Sequence, residues 1–212
     1  MNSSAFEQYL STAVPIGKGN DRVVYRLPAC PERCIKLPRY PLRGSEQSRR
    51  EKKYFERLEA RGIPYWEYIP RYHGAMVVEN HGEGLIYDLI LDKEGGVART
   101  IRHYRSNQFD VFQGDAFCRA FEALCVFLMN YWIVPSDIND RNIVCVFTDQ
   151  EGCRLYLIDG VSNPALFPIA NYSSWFARRR IRKRLIKLAG KFKNYGLINN
   201  KQCNIIIEKL TL

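Results

Sequence analysis

Apolar and polar positions change period several times along this chain of 212 residues. Residues 9–28, YLSTAVPIGKGNDRVVYRLP, read as two β-prone stretches around a glycine-containing turn. RCIKLP at 33–38 is a third short strand, closed by Pro38. The period then lengthens: residues 45–61, SEQSRREKKYFERLEAR, predict a helix with Tyr54, Phe55 and Leu58 as its apolar stripe, ended by Gly62 and Pro64. AMVVEN and GLIYDLIL return to strand texture, joined by the turn signal NHGEG.

After DKEGG the texture becomes helical. A helix over about 97–106 carries Arg99, Arg102 and Arg105 at three-residue spacing. A stronger one over about 115–131 puts Phe117, Phe121, Leu124, Cys125 and Leu128 on one face. The polar segment PSDINDRNIV (135–144) follows, then RNIVCVFTDQEGCRLYLIDG, a hairpin with a DQEG turn. A final basic helix starts near Ser173 or Ser174, either of which suits an N-cap. The composition shift at 92–97 divides the chain into residues 1–92 and 93–212, an α+β arrangement of an antiparallel sheet with one helix followed by a mostly helical part.

Composition narrows the class. With 46% hydrophobic and 25% charged residues the chain is globular. No apolar run approaches a membrane span, and MNSSAFEQYLSTAVP lacks a basic start before an apolar stretch, so a cytoplasmic location is expected. The seven cysteines form no CxxC pair, which fits reduced thiols without structural zinc. Residues 1–170 hold 21 basic and 21 acidic side chains, whereas 171–212 hold 11 basic residues and only Glu208. The entire net charge of +10 therefore sits in the last fifth of the chain.

Four segments carry candidate chemistry. In IGKGNDRVVY, Gly17 and Gly19 lie where two strands meet, where absent Cβ atoms let backbone N–H groups approach phosphate oxygens. Arg22 takes the place of a third glycine in G-x-G-x-x-G, and taken alone the segment is better read as an ordinary hairpin turn. Lys36 sits between Ile35 and Leu37, where an ammonium needs either a partner or an exit to solvent. Glu51 is a candidate partner; Glu46 and Glu56 compete, but only Glu51 has apolar residues at +3, +4 and +7 to dock its helix face. In PSDINDRNIV, Asn142 stands five positions after Asp137, and in LYLIDG, Asp159 and Gly160 end an apolar strand, where an aspartate also serves as a turn former. An EF-hand reading of DINDRN fails because Arg141 takes a ligand position and Asn142 replaces the required glycine.

Each segment has a bland reading, but their order meets the needs of phosphoryl transfer: a glycine cradle and fixed cation for phosphates, acidic and amide ligands for magnesium, and a carboxylate for the acceptor hydroxyl. The chain resembles the protein-kinase-like phosphotransferases, and more narrowly the YrbL family of bacterial proteins of the PhoP regulatory network. The resemblance rests on IGKGNDRVVY, CIKLP, REKKYFERL, GLIYDLI, PSDINDRNIV and LYLIDG, spanning residues 14–163, and on the closing RRRIRKRLIKL. It implies a compact two-lobe kinase-like fold with a shortened C-lobe, and ATP and magnesium as ligands. Lys36 would hold the α- and β-phosphates and pair with Glu51, with Gly17 and Gly19 as the phosphate loop. Tyr87, Asp88, Leu89 and Ile90 would form the hinge that meets adenine. Asp137 would be the catalytic carboxylate, and Asn142 and Asp159 the magnesium ligands.

The departures matter as well. Pro135 and Ser136 stand where protein kinases carry His-Arg, and Asn139 where Ser/Thr kinases carry Lys. Val161 replaces or displaces the Phe-Gly ending, no A-P-E follows, and about 50 residues remain after Asp159. Losing the protein-substrate platform favours a glycan, lipid-linked sugar or other small anionic acceptor. The alternative expectation is a nucleotide-binding pseudokinase or regulatory adaptor. The helix over 177–191, ARRRIRKRLIKLAGK, has Ile181, Leu185 and Leu188 as a docking stripe and cations elsewhere, which suits an anionic acceptor or membrane surface. No nucleic-acid reading motif accompanies it.

Overall fold

The computed structural model describes residues 3–63, 66–107, 112, 115–148, 152–161 and 174–211, with the side chains of 3–4 and 41–47 also set aside. Pro64, the first three residues of the DQEG turn and Ser173 lie outside the described residues. The chain forms two units, Met1–Trp66 with Pro70–Leu91, and Glu67–Ile69 with Asp92–Leu212.

In the first unit a five-stranded antiparallel sheet runs in the order β1-β2-β3-β5-β4. Its strands are β1 (Gly17–Lys18), β2 (Arg22–Leu27), β3 (Cys30–Pro38), β4 (Tyr72–Val78) and β5 (Gly82–Asp88). The strand period of two decides the unit's chemistry. On β3, Ile35 and Leu37 face one side of the sheet and Cys34 and Lys36 the other. Ile35 and Leu37 join Leu27, Val78 and Phe6 in one apolar cluster.

Phe6 belongs to α1 (Ser3–Leu10), a second helix of this unit that the strand-like texture of 9–28 conceals. Phe6, Tyr9 and Leu10, at three- and four-residue spacing, pack on the cluster. The expected first strand is correspondingly short, two residues of β1, with Ile16 extending the ladder by donating to the Val24 carbonyl at 2.9 Å.

Helix α2 (Pro41–Ala60) starts with Pro at its first position, a residue pre-set for a helix start, and buries the expected Tyr54, Phe55 and Leu58. Phe55 meets the Tyr87 ring edge-on, with centroids 5.0 Å apart. Gly84 is required by packing: a Cβ there would stand 2.6 Å from Ile35 Cδ1 and Leu37 Cδ2.

The second unit combines a three-stranded sheet, β6-β7-β8, with four helices among the described residues. β6 (Arg99–Thr100) leads directly into α3 (Ile101–Asn107), and α4 (Ala116–Asn130) buries all five residues of its expected stripe. β7 (Ile143–Phe147) and β8 (Cys153–Leu157) form the expected hairpin in the register Ile143↔Leu157. α5 (Ser174–Asn194) docks through Ile181, Leu185 and Leu188, extended by Ala177 and Phe192. Phe192 meets Phe117 and Phe121 of α4 edge-on. α6 (Asn200–Thr211), which drew no expectation, buries Cys203, Ile206 and Leu210 and ties to α4 through Gln202–Asp115 at 2.7 Å and a Lys209–Glu122 ion pair. No described helix is long and apolar enough to cross a membrane.

Candidate active site

In the first unit the buried polar centre is Glu51. Its Oε1 accepts from the Tyr87 hydroxyl at 2.8 Å and lies 3.7 Å from Lys36 Nζ, while Oε2 accepts from Arg22 at 2.6 Å. The Lys36 and Glu51 side chains keep only 11% and 7% of their surface exposed. Lys36 Nζ also lies over the Tyr87 ring, 4.8 Å from its centroid. Burial first, and then Glu51, push the Tyr87 hydroxyl well above its ordinary range, so this ring remains a donor. Burial likewise pushes the Cys34 thiol up to about 11.

The expected Lys36–Glu51 pair therefore forms, but as part of a cluster of four. Arg22, noted in the sequence only as the residue replacing a glycine, takes the shorter ion pair. Its burial shows only in the structure, and no sequence pattern marks it.

Gly17 and Gly19 flank the turn of β1 and β2, which the Gly19 N–H closes on the Arg22 carbonyl at 2.8 Å. A Cβ on either glycine would meet only ordinary contacts, 3.7 Å to Val24 and 3.5 Å to Arg22, and neither has positive φ. Internal packing thus leaves the glycine at both positions unexplained. Tyr87 and Asp88 end β5, with Leu89 and Ile90 directly after. The N–H of Asp88 donates to the Arg71 carbonyl at 3.0 Å and that of Leu89 to Glu32 at 2.8 Å. The Asp88 carboxylate is held by His73 at 2.6 Å and the Arg71 N–H at 3.1 Å.

In the second unit Asp137, Asn142 and Gly160 are brought together. Asn142 Nδ2 donates to the Asp137 carbonyl at 2.9 Å and to its Oδ2 at 3.2 Å. The amide nitrogen is thus committed to Asp137, which leaves Oδ1 as the atom of Asn142 for a cation. Asp137 itself is exposed. Ser136 donates to the Gly160 carbonyl from its N–H at 2.5 Å and its hydroxyl at 2.8 Å, and Pro135 bridges Val161.

Gly160 has φ +73, and a Cβ there would collide with the Asp137 carbonyl. This is a glycine the structure requires twice over. Asp159 Oδ1 accepts from the Gly160 N–H at 2.8 Å. The segments PSDINDRNIV and LYLIDG thus interlock through hydrogen bonds and one obligatory close approach.

Two further contacts were not foreseen. Asp140 is buried and accepts from Arg102 Nε at 3.3 Å and Arg105 at 3.0 Å, while its carbonyl accepts from the Arg102 N–H at 2.9 Å. The arginine spacing on α3 was the available signal. Arg184 of α5 donates to the Ser136 carbonyl. Burial and then Arg180 lower its pKa, with Asp137 opposing them.

A family model described as PhoP regulatory network protein YrbL matches residues 9–193. The chain belongs to the YrbL family. It is 30% identical over 175 residues to YrbL of Escherichia coli (strain K12) and to YrbL of Shigella flexneri, over 81% of this chain and 81% of each relative. Among solved structures, a doubly substituted PknI kinase domain of Mycobacterium tuberculosis superposes with a TM-score of 0.52 at 15% identity, covering 84% of this chain and 71% of that one. A second doubly substituted form of that domain gives 0.50, over 84% and 74%. This YrbL-family chain has a protein-kinase-like α+β fold.

The residues fit magnesium bound together with a nucleotide. Among the described residues no three His, Cys, Asp or Glu side chains cluster to hold a metal alone. Magnesium does not require such a cage, since it takes one or two protein oxygens and completes its shell from phosphates and water. Asn142 Oδ1 and the Asp159 carboxylate supply that donor type.

Proposed function

We propose that this YrbL-family protein is a Mg-ATP-dependent phosphotransferase acting on a hydroxyl of a small anionic acceptor: a glycan, a lipid-linked sugar or a related molecule. The observation that carries this reading is the clamp on Asp137, whose carbonyl and Oδ2 both accept from Asn142 while its own segment locks onto Gly160. A clamped yet exposed carboxylate is what a proton acceptor for an incoming hydroxyl requires.

In this reading Lys36, fixed by Glu51 and Tyr87, neutralises phosphate charge. Gly17 and Gly19, which packing does not require, let the phosphates approach the backbone of this turn closely. With the N–H groups of Asp88 and Leu89 committed inside the fold and the Asp88 carbonyl facing the Cys34 thiol at 3.8 Å, adenine recognition falls to Ile90 and the Leu89 carbonyl. Asn142 and Asp159 hold magnesium, which when bound supplies positive charge to the phosphate oxygens. The acceptor oxygen forms its bond to the γ-phosphorus as the bond to the ADP oxygen breaks, and the hydroxyl proton passes to Asp137.

The test is product analysis with γ-labelled ATP in a cell lysate, comparing wild type with Asp137→Asn. The expected outcome is a labelled product that disappears in the variant while ATP binding persists. Equal turnover by the two proteins rejects the mechanism.

A second reading, a nucleotide-binding adaptor without turnover, is favoured by one observation: Arg22 holds Glu51 at 2.6 Å, nearer than Lys36 at 3.7 Å. Under it, thermal shifts respond to ATP with magnesium, yet no acceptor is labelled. No response to ATP at all rejects both readings.

A further inference from the structure

Five of the cations of helix α5 line one cleft, apart from Arg178, Arg179 and Arg182. Arg180, Arg184, Lys187 and Lys191 follow one another at four-, three- and four-residue steps, with Lys183 beside them. That spacing stacks them along one side of the helix, flanking the buried stripe of Ile181, Leu185 and Leu188. With Asp137 they line a single open cleft of about 540 Å³. The volume is that of a small-molecule site.

Within the cleft Arg184 is fixed by its bond to the Ser136 carbonyl, next to Asp137 in the chain. Lys183, Lys187 and Lys191 are exposed and have no carboxylate partner among the described residues. Like charges at these spacings repel, and among the described lining residues Asp137 is the only acid. Such a concentration of positive charge around one carboxylate favours binding of an external anion.

We infer that this cleft is an acceptor subsite for a molecule that already bears a phosphate group, the phosphate lying on Arg180, Lys183 and Lys187 while a free hydroxyl of the same molecule meets Asp137. The inference rests on the phosphotransferase reading for its hydroxyl half only. The product is then a bisphosphorylated molecule: the free hydroxyl gains the γ-phosphoryl group, ADP leaves, and the original phosphate is unchanged. Size also speaks for a single phosphorylated sugar or polyol, or the head group of a phospholipid, since 540 Å³ holds one such unit.

The experiment has a binding arm and a turnover arm. In the first, line broadening of inorganic phosphate by phosphorus NMR is compared for wild type, for the variant carrying Lys183→Gln and Lys187→Gln, and for a control carrying Lys193→Gln and Lys201→Gln, which loses the same charge outside the cleft. Broadening by wild type and control, and at least about fivefold less by the cleft variant, is expected. Equal broadening by all three, or by none, overturns the subsite.

In the second arm, transfer from ATP is measured for glucose against glucose 6-phosphate and glycerol against glycerol 3-phosphate. Vesicles of phosphatidylcholine with and without phosphatidylinositol represent the lipid source. In each soluble pair the phosphate-bearing acceptor is expected to have at least about tenfold higher kcat/KM, with the preference lost in the cleft variant through acceptor KM and not through ATP KM. Transfer confined to the vesicles assigns the phosphate to a lipid head group, and transfer to the soluble pair assigns it to a free metabolite. A cleft variant that raises ATP KM instead makes the cations part of the nucleotide site and overturns the inference. Phosphate binding that depends on Lys183 and Lys187, with no transfer to any acceptor, upholds the anion subsite and counts against the phosphotransferase reading.

Discussion

Arg22 and Lys36 share one carboxylate: Glu51 binds the guanidinium at 2.6 Å and the ammonium at 3.7 Å, all inside the first unit and nearly removed from solvent. One acid holding two buried cations makes Glu51 the centre of this cluster. Removing a single partner of a buried pair typically costs about 3–5 kcal/mol, because charge is left uncompensated. Glu51→Gln removes the carboxylate that both cations share and is expected to fall in that range. Arg22→Met leaves Glu51 with Lys36 and Tyr87 and is expected to cost below about 2 kcal/mol. Urea midpoints of the two variants give the comparison, and a reversed order shows that Lys36 contributes little to holding Glu51.

The buried Cys34 thiol sets a pH dependence. Its folded pKa, about 11, lies above the ordinary 9.0, so the folded protein holds the proton more tightly than the unfolded chain. The stabilisation is complete below pH 9 and is lost as pH rises from 9 to 11. Cys125, raised by the same cause, adds to the decline. Cys34→Ala is expected to flatten the fall by up to about 1.4 kcal/mol per pH unit, the effect of one proton. Urea titrations at pH 8, 9 and 10 in reductant measure it, and an unchanged slope removes Cys34 from the account.

Asp140 anchors the segment that carries Asp137 and Asn142 to α3. It is buried, while its arginine partners are partly exposed and partly screened by water. Asp140→Asn is expected to cost about 2–3 kcal/mol, the scale of hydrogen bonds to a charged group. A thermal melt that does not move with this substitution assigns Asp140 no anchoring role.

Gly160 and Gly95 separate strain from position. Both have positive φ, +73 and +80, but a Cβ on Gly95 meets nothing within 4 Å, whereas one on Gly160 strikes the Asp137 carbonyl. Alanine at either should cost about 1–2 kcal/mol through backbone conformation. Only Gly160→Ala should also displace Asp137, and a misplacement of about 1 Å can lower turnover about 100-fold. Labelled-ATP turnover by the two variants distinguishes them, and equal activities detach Gly160 from the site.

What the sequence determined by itself follows from period and composition. Alternation in RCIKLP put Lys36 opposite Ile35 and Leu37, and the 3.6-residue stripes of α2, α4 and α5 named their buried residues correctly, because amphipathic burial is local information. Family and fold class were legible in short motifs whose residue types are constrained by chemistry. α1 and α6 escaped notice because their apolar stripes are short: Phe6, Tyr9 and Leu10 in one, and Cys203, Ile206 and Leu210 in the other. The destinations of Arg22, Asp140 and Arg184 were equally out of reach.

Those three are charged groups whose partners stand 29, 35 and 48 positions away. No periodicity encodes such a pairing. Only the packed structure decides which carboxylate a buried cation meets, since there the cost of desolvation forces each charge to find a partner. For the same reason the sequence showed a basic helix, while the tertiary structure brought one face of it into the same cleft as Asp137.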